Sequence, residues 1–127
     1  MIKDFKQLDN RKDKGTIYES YVNNFLRSRL KANMSLNFWR TKQQEEIDFI
    51  LLIDHIPFPI EVKSQLKRPE IPSAFLSFNK HYPDAKDFFL INENIETTID
   101  CGSFQVHFVR IAELEQNELI NSILTNP

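Results

Sequence analysis

Glycine is nearly missing from this chain: only Gly15 and Gly102 occur in 127 residues. A Walker A loop and a dinucleotide fingerprint each need several glycines at fixed spacing, so neither can be written here. The single Cys101 excludes an internal disulfide and a CxxC metal knuckle, and the expected compartment is the reducing cytoplasm. No apolar run approaches the roughly 20 residues of a membrane-spanning helix, and the N-terminus has no signal-peptide pattern. A net charge of -2 argues against a general nucleic-acid coat.

The chain does have an apolar composition of 41%, including eleven Phe, enough for one packed domain. Its charge is divided unevenly. Residues 1–42 hold ten Lys/Arg against four Asp/Glu, about +6, whereas residues 43–127 hold six against fourteen, about -8. That split either presents one positive face or scatters charge over a solvated surface.

Residues 1–15 are polar and charged, with few apolar anchors, and read as an arm or linker preceding a domain over 16–127. An apolar stripe of Ile17, Tyr18, Tyr21, Val22, Phe25, Leu26 and Leu30 predicts a helix over 16–31. Strands are expected at about 36–41, 46–53, 58–63, 87–91 and 104–108, and helices at 71–81 and 111–123. Pro72 suits the first turn of the second helix. The order α-β-β-β-α-β-β-α describes an α/β domain with a central mixed sheet flanked by helices, its first three strands a meander.

Charge in the wrong place carries the functional reading. Asp48 lies within the apolar run 47–53, and Glu61 and Lys63 interrupt the apolar run 58–63. On a strand, residues two apart share a face, so Glu61 and Lys63 point one way while Ile60 and Val62 point the other. A charge inside an apolar strand costs several kcal/mol, roughly, unless it is paired or holds a metal. Each feature has a plainer explanation: Asp48 as an acid satisfied by backbone N–H groups, Glu61 and Lys63 as a surface ion pair. Together they suggest a divalent cation beside a positive charge. Mg²⁺ or Mn²⁺ takes hard oxygen ligands and keeps several waters, so Asp48, Glu61 and the Val62 carbonyl suffice. Lys63 is then the group that holds the attacking water against a phosphodiester. Glu19 is ambiguous: it either joins the ligands from the first helix or closes a capping box with Thr16. His55, His81 and His107 are expected to ligate nothing, and Trp39 is expected in the core.

A helix bearing Glu19, then Asp48, then Glu61-Val62-Lys63, resembles the PD-(D/E)xK nuclease superfamily, with its restriction-endonuclease-like fold. Asp13-Lys14-Gly15, Glu19-Ser20-Tyr21-Val22, Phe38-Trp39-Arg40-Thr41-Lys42, Glu46-Ile47-Asp48-Phe49-Ile50 and Ile60-Glu61-Val62-Lys63-Ser64 look like the C-terminal domain, of unknown function, of a family of prokaryotic AAA-type ATPases. The resemblance covers about residues 8–91. It implies a Mg²⁺-dependent nuclease-like domain acting on DNA, with Asp48, Glu61, Lys63 and Glu19 as site residues and an ATPase upstream in the native chain. The superfamily's proline is replaced by Ile47. The alternative it leaves open is a non-catalytic module of the same fold that docks DNA or a protein for the ATPase.

Overall fold

The computed structural model describes residues 11–125, with side chains from Lys14 onward. Helix α1 (Arg11–Arg27) leads into strands β1 (Met34–Arg40), β2 (Glu46–Ile53) and β3 (Ile56–Val62), then helix α2 (Ser73–His81). Strands β4 (Asp87–Asn92), β5 (Thr97–Asp100) and β6 (Gln105–Arg110) follow, then a 3₁₀ turn (Ile111–Gln116) and helix α3 (Glu118–Thr125). The six strands form one open mixed sheet in the order β1-β2-β3-β4-β6-β5. β1, β2 and β3 are an antiparallel meander; β4 is parallel to both β3 and β6; β5 is antiparallel to β6.

Alternation along the strands feeds two apolar layers. One packs Val22, Phe25 and Leu26 of α1 with Ile120 and Leu124 of α3 over Leu51, Ile60, Val62, Phe89 and Ile91. The other packs Ala74, Phe75 and Phe78 of α2 over Ile50, Phe88, Leu90, Val106 and Phe108. Trp39 packs against this second layer, edge-on to Phe78 at 5.3 Å. The expected α/β domain with a central mixed sheet is therefore present, flanked by helices on both faces. No helix among the described residues is long and apolar enough to cross a membrane.

Several expected boundaries need correction. Helix α1 already includes Arg11 to Gly15, which read as arm, and it stops at Arg27 rather than at 31. Its C-terminal carbonyls are captured locally: Ser28 Oγ and Arg29 Nη1 both donate to the Phe25 carbonyl, at 2.9 and 3.1 Å, which ends the helix without glycine or proline. The remainder of the expected arm, residues 1–10, lies outside the described residues. Pro72 caps α2 from an extended conformation instead of entering its first turn. The helix expected over 111–123 is two pieces, because Asn117 Oδ1 accepts the Ile120 N–H at 2.9 Å and starts a new helix. Strand β5 was absent from the expected order. It is short and mostly exposed, so no apolar alternation marks it.

Candidate functional site

The site is built by an irregularity in the meander. Asn37 pairs with Ile50 but Trp39 pairs with Ile47, so Phe38 alone opposes both Asp48 and Phe49. This is a β-bulge on β2, a device that bends a strand and re-aims a side chain. Beyond the bulge, β2 and β3 part company: Phe49–Ile60 is the last ladder pair before the strands separate. Main-chain groups that would have continued the ladder are met by side chains instead. Val62 N–H donates to Asp48 Oδ2 at 2.8 Å, and Asp48 N–H donates to Glu61 Oε1 at 3.0 Å. The two carboxylates thus fill the fork reciprocally, each held by the other strand.

Electrostatics follow from this closeness. Glu61 is 9% exposed. Burial, then the neighbouring Asp48, pushes its carboxyl up to about 7; the Asp48 N–H and Lys63 pull the other way. Asp48 is raised as well, chiefly by burial, against the opposing pull of the Val62 N–H, Glu61 and Lys63. Two acids this close cannot both ionise cheaply, so the pair gives up its protons at higher pH than isolated carboxyls would. Lys63 Nζ stands 3.4 Å from the other Glu61 oxygen, and its side chain is 49% exposed. A buried glutamate and a half-buried aspartate are therefore joined to a cation that reaches solvent.

Glu19 is exposed on α1, and its carboxyl is raised by burial first and then by Asp48, with Lys63 lowering it. It senses the charges of the fork without being gathered with Asp48 and Glu61 into a three-acid set. The capping-box alternative is overturned, because α1 runs from Arg11 and Thr16 and Glu19 lie inside it. Val62 contributes its N–H to Asp48, while its side chain joins the core under α1.

The donor chemistry at this fork is what a hard divalent cation takes: carboxylate oxygens whose mutual repulsion a cation would relieve. Among the described residues, no three His, Cys, Asp or Glu side chains are gathered as a ready ligand set. The Glu61 oxygen not bonded to the Asp48 N–H is turned to Lys63 at 3.4 Å.

The surroundings contain residues that the sequence reading passed over. A cleft of about 570 Å³ opens beside Glu61 and Lys63 toward α2, with Glu45, Glu46 and Glu70 on its wall. Glu45 ties the β1–β2 turn to α2 by accepting from Ser77 Oγ at 2.8 Å. Asn92, fully buried at the end of β4, accepts the N–H groups of Asn94 and Ile95 and donates to the Ile95 carbonyl. Asn94 then clasps Leu66 through both its N–H and its carbonyl, at 3.0 and 2.6 Å. This chain of amides fixes the loop that follows Lys63. The signal was present in the sequence as a polar residue closing an apolar strand.

Residues 14–113 match the family model of DUF4143, a domain of unknown function. The chain belongs to that family. No curated protein matches the chain in sequence. The matched span begins inside α1, five residues before Glu19, and contains the whole fork and all six strands.

Two expected surface features behave differently from a simple basic face. Arg29 is committed internally: it bonds to the Phe25 carbonyl, lies 3.9 Å over the Phe25 ring and reaches Glu115 at 3.8 Å. Arg40 pairs with Glu46 at 2.8 Å. Arg27, Lys31 and Lys42 are exposed. His107, on β6, bridges Asp87 at 2.8 Å and Thr98 at 3.2 Å across three strands.

Proposed function

We propose that this DUF4143 domain is a Mg²⁺- or Mn²⁺-dependent nuclease-like domain of the restriction-endonuclease-like fold, acting on DNA phosphodiesters. The observation that carries the reading is the fork: buried Glu61 and half-buried Asp48, from separate strands, hold each other's backbone, with the half-exposed Lys63 ammonium beside Glu61. An ordinary surface ion pair has no need of a second acid, whereas a cation site does.

In this reading Asp48 and Glu61 supply oxygens to the ion, with the Val62 carbonyl as a further ligand and Glu19 closing the site from α1. The bound ion would supply charge stabilisation at the phosphoryl group and a more acidic water. Lys63 orients the attacking water and faces the negative charge that develops in the transition state. The half-exposed position of its ammonium suits a group that must reach substrate. The domain acts as the C-terminal module of a longer chain whose upstream part is an AAA-type ATPase, in the cytoplasm of a prokaryote.

The test is cleavage of linear, supercoiled and branched DNA by purified protein in Mg²⁺ or Mn²⁺, with Lys63→Ala in parallel. Loss of one charge-stabilising group should lower the rate by about 10²–10³ or more while the fold persists. Equal cleavage by wild type and variant would identify a contaminant and remove the catalytic role. Clear metal binding without cleavage of any DNA would favour the second reading, a non-catalytic module docking DNA or a protein partner. The pairing of Arg29 with Glu115 and of Arg40 with Glu46 leaves fewer unpaired cations for phosphate, which favours the protein-docking form of that alternative.

A further inference from the structure

The two outer strands of the sheet are protected very differently. β5 is four residues long, exposes Thr97 and Thr98, and ends on Asp100. Such a short, polar strand discourages further pairing. β1, at the opposite edge, is seven residues long with the sequence Met-Ser-Leu-Asn-Phe-Trp-Arg. It contains no proline and no lysine. The bulge of the β1–β2 pair sits on β2, so it does not twist the outer side of β1 out of use. Among the described residues, no strand lies beyond it.

The edge is also apolar where an edge is usually charged. Phe38, at mid-strand, is 72% exposed, the highest value among the large hydrophobic residues described. Beside it a groove of about 360 Å³ is lined by Trp39, Phe78, Tyr82, Pro83, Leu52 and Pro57. An unpaired row of backbone N–H and C=O groups next to exposed aromatic surface is chemistry that takes an extended strand.

We propose that the occupant is a second copy of this chain, with the two β1 strands pairing antiparallel to continue the sheet across a two-fold axis. A two-fold contact must be self-complementary, and β1 is. Its one charge, Arg40, is at the end and is neutralised by Glu46 at 2.8 Å. Paired about the midpoint Asn37, Arg40 faces Met34 of the second copy and Phe38 faces Leu36, so no like charges meet. Each Phe38 then packs beside Leu36 of the other copy, on the face that Met34 and Leu36 share.

Light scattering after size exclusion, across a wide micromolar range, tests this on the 127-residue chain. The expected species has twice the chain mass of 15.1 kDa and dissociates on dilution. Phe38→Glu should yield the single-chain mass with an unchanged circular dichroism spectrum. Asn37→Lys, which places two like charges at the axis, should do the same and serves if Phe38→Glu fails to fold. Asn37→Cys in a Cys101→Ser background should cross-link two copies on oxidation, since residues opposed across an antiparallel pair lie within disulfide reach. A single-chain mass at every concentration would overturn the proposal and leave the edge to an extended segment of another protein. A dimer that survives both charged substitutions would overturn it too, by placing the contact elsewhere.

Discussion

The two ends of the β2–β3 hairpin make opposite use of the same two strands. At the turn end, Leu51 faces Phe58, Leu52 faces Pro57 and Ile53 faces Ile56, and the ladder closes on the two-residue turn Asp54-His55, both at positive φ. That turn matches the right-handed twist of a hairpin, and the pairs beside it are apolar. At the other end the ladder stops, and Asp48 and Glu61 take the place of main-chain partners. One end gains free energy by excluding water from hydrocarbon. The other holds two acids close together and half-desolvated, an arrangement that costs stability and makes sense as a place for chemistry.

The comparison would break most visibly at the apolar end. Leu51 is 2% exposed, and Leu51→Ala should cost about 2–5 kcal/mol in a urea titration. Its metal response should remain, because the fork is at the other end of the strand. A loss below about 1 kcal/mol would mean that the turn end is not the anchor described here.

The fork should show itself through pH. Folded Glu61 holds its proton up to about 7, whereas the unfolded side chain releases it near 4.5. The folded state therefore binds more protons in this window, and the stabilisation present below about 4.5 is lost as pH rises through about 7. The loss amounts to at most about 3 kcal/mol in metal-free protein. Glu61→Gln keeps an oxygen for the Asp48 N–H and should flatten this part of the stability–pH curve. Identical curves for wild type and variant would mean that the carboxyl is not perturbed.

Metal should reverse the same penalty. Mn²⁺ at about one hundred times its dissociation constant should add about 2.7 kcal/mol of stability by mass action. Asp48→Asn should remove that gain while stabilising the metal-free protein, since it relieves the like-charge contact and keeps an acceptor for the Val62 N–H. A melting temperature indifferent to Mn²⁺ in wild type would reduce the fork to a structural acid pair.

The smallest effect separates both ends from general stabilisation. Gly15 lies inside α1, and a methyl group added there would meet nothing within 4 Å. Gly15→Ala should stabilise by about 0.5–1 kcal/mol through helix propensity and leave the pH and metal responses unchanged. A change in the metal response would show that the start of α1 communicates with Glu19.

Apolar periodicity by itself determined most of the secondary structure. β2 is found over the residues expected, and β1, β3, β4 and β6 lie within a few residues of theirs, because burial on a sheet demands alternation or a continuous apolar run. Periodicity failed where burial did not write the pattern: exposed β5, the local hydrogen bonds ending α1 at Arg27, and the Asn117 cap that divides the last helix. Chemistry in the wrong place also identified Asp48, Glu61 and Lys63 as residues to explain. What it could not supply was their relation. Strand order, the bulge opposite Phe38 and the reciprocal backbone bonds of the fork depend on contacts between residues far apart in sequence. The same holds for the rigid Asn92–Asn94–Leu66 support. A linear pattern records which face a residue prefers, and only the folded chain decides what stands opposite that face.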